Sequence, residues 1–324
     1  MKRNKILIIV LAIFLSFIIY KYLGISQKDK WVNEPSYKKY SEKRENEVWG
    51  EILRGRNPAL YYGTPLYDLA ETLSGAIWFR DKDEISKLIE EIPKGYVNYQ
   101  EPKFGMTIGQ FALRTNNMFA IRKLLDKGLD ANIMDKQGNA IIIDINSSVY
   151  SHLPESLETL KYMIKKGANV NLYSERATVK TPLIRAVNSN FENVKVLVEA
   201  GANAHFIDEL DNYSRKTGYR DPFRSPLSAA LLNRDMEIIN YLIFDQKVDF
   251  RTLKQSMESK FHPGEYQILH KLREKNFDLN SKDYKEKMKL VAYLKTQGLD
   301  YWKTPIPDNI KNNPKFTQEY LSKY

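Results

Sequence analysis

One pattern governs what this chain can become. An apolar triplet at i, i+3 and i+4 recurs as Ile85/Leu88/Ile89, Ile121/Leu124/Leu125, Leu160/Met163/Ile164, Val194/Leu197/Val198 and Ile239/Leu242/Ile243. That spacing gathers the three side chains on one face of a helix. The steps between triplets are 36, 39, 34 and 45 residues, a basal period in the mid-thirties with insertions. A unit of that length is one supersecondary element, which cannot bury its apolar face alone and must stack on copies of itself.

The punctuation between triplets fits the same unit. Helix stops and Asx-rich turns follow most of them: Gly128-Leu-Asp-Ala-Asn132, Gly167-Ala-Asn-Val-Asn171, Gly201-Ala-Asn-Ala204, Asn276-Phe-Asp-Leu-Asn280 and Gly298-Leu-Asp300. Glycine supplies the left-handed residue that ends a helix, and Asn276 is expected to do so at higher cost. Helix starts precede the triplets at Thr64-Pro-Leu66, Thr181-Pro-Leu183 and Ser225-Pro-Leu227. There Thr or Ser caps the free amides and Pro occupies the first turn. Ala70, Ala112, Ala186 and Ala230 then let neighbouring helices lie close.

These residues resemble the ankyrin repeat. Gly105-Met-Thr107 through Ala112, Leu124, Leu125, Gly128, Asp130 and Asn132 follows that family's spacing without a gap. Thr181-Pro-Leu183 through Gly201-Ala-Asn203 is one residue short, and Ser225 to Asp249 is looser. The resemblance spans about residues 60–280 and implies an all-α solenoid of helix–turn–helix repeats with hairpin-like finger loops and a capping helix near Tyr284–Thr296. The family's His after Thr-Pro-Leu, which ties neighbouring loops together, is replaced by Tyr67, Gln110, Ile143, Ile184 or Ser228. The replacement implies a divergent, less rigid array.

The N-terminus has a different character. Lys2, Arg3 and Lys5 precede a nearly unbroken apolar run from Ile6 to Tyr20. With Lys21 snorkelling, residues 6–25 reach about 30 Å as a helix, the thickness of a bilayer core. No A-x-A cleavage site follows, which favours an uncleaved anchor over a removed signal. Positive charge ahead of the run directs the remaining chain outward; a cytoplasm-facing anchor is the alternative. The expected organisation is an anchor at 1–25, a charged linker at 26–55, the repeat array with its cap at 56–303 and a tail at 304–324.

Chemistry-bearing motifs are missing from the sequence. The chain has no Cys and only four His, and it lacks phosphate-loop, dinucleotide, H-E-x-x-H and G-x-S-x-G patterns. Neither an enzyme nor a cofactor or metal site is expected. The net charge is +10, but residues 1–50 hold 10 basic and 5 acidic residues and 251–324 hold 15 and 9. The array between is essentially neutral, which argues against nucleic acid as partner. Lys285, Lys287, Lys289 and Lys295 of the C-terminal helix would each add about 1 kcal/mol of attraction beside an anionic membrane.

Function is therefore expected on a protein-binding surface. By resemblance the fingers are Asp135-Lys136-Gln137, Tyr173-Ser-Glu175-Arg176 and the long insertion 205–224 with Tyr213, Arg215, Tyr219 and Arg220. Tyr and Arg are the side chains that interface hot spots favour. Bacterial ankyrin proteins with export signals resemble two groups. One neutralises a secreted toxin in the periplasm, such as a type VI lipase effector, and the other supports a resident enzyme such as catalase. A tether at the inner membrane suits the first, because it concentrates the inhibitor where a lipase acts.

Overall fold

The computed structural model describes residues 56–75, 81–208, 224–232, 235–254 and 264–324. The expected anchor, the linker at 26–55 and Tyr213, Arg215, Tyr219 and Arg220 lie outside them. Among the described residues no helix is long and apolar enough to cross a membrane.

Among the described residues six helix pairs follow one another: α1 (Tyr67–Ser74) with α2 (Lys82–Glu90), α3 (Ile108–Arg114) with α4 (Met118–Asp126), and α5 (Ile141–Asp144) with α6 (Ser156–Lys165). Next come α7 (Pro182–Ala186) with α8 (Phe191–Glu199), α9 (Pro226–Ala230) with α10 (Met236–Asn240), and α11 (Gln267–Arg273) with α12 (Lys282–Thr296). First helices stack as α1·α3·α5·α7·α9 and second helices as α2·α4·α6·α8·α10·α12. The core is the seam between these layers. Ile85, Ile121, Leu160, Val194 and Ile239 are all buried there, as are Ala70, Ala112, Ala186 and Ala230. Among the described residues there are no strands, only single antiparallel bridges at Gln100–Thr107 and Lys254–Tyr266.

Local signals explain most boundaries. Thr181 Oγ1 accepts from Ile184 N at 3.2 Å and Ser225 Oγ from Ser228 N at 3.0 Å, each capping a helix that opens on Pro. Thr64 differs: its hydroxyl serves a turn, accepting from Leu66 N and donating to Tyr61 O, and α1 begins only at Tyr67. Gly128, Gly167, Gly201 and Gly298 are left-handed with φ between +84° and +99°. Asn276 is not left-handed; Lys247 takes that role after α10, at φ +57°. The Asn276–Asn280 stretch joins α11 to α12, where Asp278 accepts from Asn280 N and Ser281 caps the helix.

The Asx turns form a ladder that couples repeats. Asn98 accepts from Asp130 N at 2.8 Å and donates to Gly128 O at 3.0 Å. Asn132 and Asn171 repeat the first contact, accepting from Asn169 N and Asn203 N at 2.7 Å. Each side chain thus satisfies an amide that the preceding helix stop leaves free. The expected loss of loop ties is also smaller than the missing His implies. Gln110 stands in that place, accepting from Thr107 N and donating to Asn139 O at 2.8 Å, so its amide bridges to the next finger.

The tail does not hang free. Helices α13 (Asp308–Lys311) and α14 (Gln318–Lys323) fold back on the last pair. Tyr320 donates to Phe277 O at 2.9 Å and Tyr284 to Lys323 O at 2.6 Å. Arg273, 3% exposed, donates to Thr304 O at 3.0 Å, Tyr324 O at 2.5 Å and Trp302 O at 3.4 Å. Lys287 is fully buried beneath Tyr324, with Nζ 4.0 Å from its ring centroid. It cannot face a membrane, which corrects its expected place among the lipid-facing lysines; Lys285, Lys289 and Lys295 remain exposed.

Candidate partner-binding site

The fingers are built from short side chains that hold their own loops. Asp135 is buried, and its carboxylate accepts from Gln137 N at 2.9 Å and Asn139 N at 2.8 Å. Expected as a contact residue, it instead turns inward and shapes the loop. Lys136 and Gln137 are left exposed at the tip. Glu101 does the same work one finger earlier, accepting from Lys103, Phe104 and Met106 amides. Ser174 does so one finger later, accepting from Ala177 N at 3.1 Å.

Adjacent fingers are pinned together. Lys136 N donates to Phe104 O at 2.8 Å, Lys136 Nζ donates to Pro102 O, and Arg176 donates to Lys136 O at 3.3 Å. Tyr173 is 40% exposed; its hydroxyl donates to Asp208 at 2.9 Å and its ring lies 5.7 Å from Phe206. Partial burial and then the bond to Asp208 push its hydroxyl pKa up to about 12. Glu175 and Arg176 are exposed beside it. Asp208 N donates to Arg224 O at 2.7 Å, so the two ends of the long insertion meet. Lys136, Gln137, Tyr173, Glu175 and Arg176 thus lie on two consecutive, mutually bonded fingers.

Close packing fixes that geometry. A Cβ at Gly138, where φ is +85°, would stand 2.3 Å from Ser174 Oγ and 3.0 Å from Ala177 N. Gly138→Ala is therefore expected to cost about 2 kcal/mol through strain and collision with the next finger. Chemical denaturation measures the loss, and an unchanged midpoint would refute the close approach.

The structure adds a group that the sequence reading missed. Asp144 and Arg185 occupy the same repeat position on α5 and α7, four residues after Ala140 and Thr181, and their side chains approach to 3.6 Å. Arg114 at the end of α3 lies 3.7 Å from Asp135. Burial pushes the Asp144 carboxyl up to about 6, although Arg185 and Arg114 oppose it. Burial likewise raises Tyr150, which also feels Asp144, Arg114, Arg56 and Arg185. The signal was available in the register: α3 carries Phe111 and α9 Ala229 where α5 and α7 carry opposite charges.

Comparison with known proteins bears on the repeats. No family model matches the chain. It is 32% identical over 130 residues, 39% of its length, to "Putative ankyrin repeat protein R599" of Acanthamoeba polyphaga mimivirus. The array is ankyrin-like. It is also 26% identical over 126 residues, 33% of its length, to a galactokinase of Fusobacterium nucleatum. The chain spans only 30% and 32% of the length of these two relatives. Among solved structures it is similar to an ankyrin repeat domain from Acinetobacter baumannii AYE, with 20% identity and a TM-score of 0.48 over 70% of this chain and 97% of that one.

Proposed function

We propose that the chain is a membrane-tethered, protein-binding array that faces the periplasm and neutralises a secreted toxin, a lipase effector being the first candidate. One observation carries the binding part: two bonded fingers hold Lys136, Gln137, Tyr173, Glu175 and Arg176 exposed side by side, next to the mouth of the long insertion. An ordered, solvent-facing set of Tyr and Arg loses little freedom on binding. The basic–apolar sequence at 1–25 supports the tether, and tethering raises the effective concentration of an inhibitor at the lipid surface.

Capture with the detergent-solubilised full chain as bait, from secreted and periplasmic fractions, tests the reading. A secreted lipase whose activity falls on binding is the expected outcome. Capture of a resident periplasmic enzyme whose activity depends on the chain would replace the toxin reading with a scaffold. Changing Tyr213, Arg215, Tyr219 and Arg220 together to Ala is expected to weaken capture by about 100-fold, the cost of losing two or more hot-spot contacts. Unchanged affinity would remove the insertion from the interface. Alkaline phosphatase fused after residue 55 is expected to be active; an intact but inactive fusion would reverse the topology.

A further inference from the structure

Each second helix turns one stripe toward the pair that follows, and the stripe keeps its register along the array. Lys82 Nζ of α2 lies 5.2 Å from the Phe119 ring centroid of α4, and Glu90 is 3.5 Å from Lys127. Arg122 of α4 donates to Thr159 of α6 at 2.9 Å, and Asp126 is 2.8 Å from Lys166. Phe191 of α8 meets the Tyr241 ring at 5.3 Å. Asn240 of α10 donates to Glu286 of α12 at 2.7 Å, and Phe244, just beyond α10, meets Tyr293 at 5.2 Å. These residues stand three before, one after or five after the first residue of each triplet. Gly298 follows Val291 as Gly128 follows Ile121, so the same stripe on α12 is Met288, Ala292 and Thr296.

Among the described residues no pair follows α12. The folded-back tail is bonded at Phe277 and Tyr284, and it leaves Ala292 and Thr296 exposed and Met288 half-buried. The ends of a stacked array are normally polar, as at α2, where Asp83, Lys87 and Glu91 are exposed. Here α12 ends instead on a groove of about 180 Å³, formed by Met288, Val291 and Ala292 with Tyr301 and Trp302 of the turn after it. Trp302 is 45% exposed, yet it is held in place: Arg273 donates to its carbonyl and Tyr301 packs edge-on against it at 5.2 Å.

We infer that this open end of the second-helix layer docks an amphipathic helix of a partner protein, one that carries large apolar side chains between carboxylates. The surface lies apart from the fingers and does not depend on them. Continuity selects a helix, because the stripe is the next place in a layer where each second helix already lies on the one before. Ala292 lets the incoming backbone approach, the groove takes an apolar side chain, and the held Trp302 is the kind of anchor that interface hot spots use. Charge selects the rim of the incoming helix. Lys295 lines the groove, Lys285 is exposed one turn before Met288, and Lys303 is 84% exposed, against one carboxylate, Asp300, 4.0 Å from Lys303. That surplus favours carboxylates on the partner. It disfavours a second copy: pairing α12 about a two-fold axis sets lysines against lysines, and head-to-tail stacking brings Asp83, Lys87 and Glu91 to an apolar groove. A flat lipid surface leaves the groove unfilled.

The full chain, labelled with 5-fluorotryptophan and carried in phosphatidylcholine nanodiscs, is titrated with a stapled helix of about four turns that has leucine along one face and glutamate on both sides of it. A second helix has lysine for glutamate. The chain has four Trp, and the Trp302 fluorine signal is identified by its loss in Trp302→Phe. That signal is expected to shift saturably with the glutamate helix and to respond to the lysine helix about tenfold more weakly. Ala292→Arg, on the exposed stripe, is expected to abolish the response, and Lys295→Glu to weaken it about tenfold. No shift with the glutamate helix, or equal affinity for both helices, overturns the site. A shift on moving to phosphatidylglycerol nanodiscs, with no response to either helix, overturns it in favour of lipid. Ala292→Cys gives the chain its only thiol, and rapid formation of disulfide-linked dimers in detergent overturns it in favour of a second copy.

Discussion

Replacing Arg273 with methionine is expected to lower stability by about 3 kcal/mol and to release residues 304–324 to protease. The arginine lies under the tail, and its three donors serve carbonyls of Trp302, Thr304 and Tyr324. Its guanidinium carbon is 4.0 Å from the Tyr301 ring centroid, so packing and cation–π attraction are lost with the bonds. Methionine fills part of the volume but leaves the acceptors without donors. For a domain of this size the loss corresponds to a fall of about 5–10 °C in Tm, readable by calorimetry. Proteolysis distinguishes the mechanism: a shorter product lacking the tail is expected before general degradation. A tail that stays protected would mean the stacked rings of Phe316, Tyr320 and Tyr324 hold it alone.

Lys287→Met is expected to act in the opposite direction. Burial, and then the nearby charges of Arg273 and Lys275, push the Lys287 ammonium down to about 7 from 10.5. The unfolded chain therefore holds a proton between pH 7 and 10.5 that the folded chain releases. Stability rises with pH across that window, and below about pH 7 the penalty for the buried charge is fully in place. Methionine removes the penalty but leaves Lys275 O, now bonded by Lys287 Nζ at 2.9 Å, without its donor. The net gain is expected to be about 2 kcal/mol at pH 7, falling to nothing by about pH 9. Denaturation curves at pH 6, 7, 8 and 9 measure it. A variant that is destabilised at every pH would show that the ammonium is well solvated by its carbonyl and the two rings.

The fold was legible where its signals are local. The i, i+3, i+4 triplets, the left-handed glycines and the Thr181 and Ser225 caps each depend on a few neighbouring residues, and each lies where the spacing put it. Thr64 misled because Thr-Pro also begins a turn, and here Tyr61 O takes the hydroxyl. Asn276 misled because an Asx-rich stretch reads alike whether it follows a first helix or a second. The capping helix near Tyr284–Thr296 was legible, but the docking of the tail onto it was not. Nothing periodic in 304–324 announces contacts such as Tyr320 to Phe277, which join residues 43 apart. Of the expected contact residues, exposure in the finger tips follows from the turn, whereas Asp135 faces inward because its loop amides need an acceptor nearby. Asp144 and Arg185 required the repeats to be laid in register before their pairing could be noticed.

The asparagine ladder stops. Asn98, Asn132 and Asn171 each hold the next turn, but His205 fills the following rung position and, among the described residues, makes no such bond. Nearest-neighbour terms set how far unfolding spreads along a stacked array. Without that rung, the fourth pair lacks toward the fifth a bond that joins the first four pairs to one another. Pulled from its two ends, the molecule is expected to yield first at that junction and extend in two steps. The long insertion leaves the chain at the same place, so a partner bridging it would splice the blocks, and resistance to force would report its arrival.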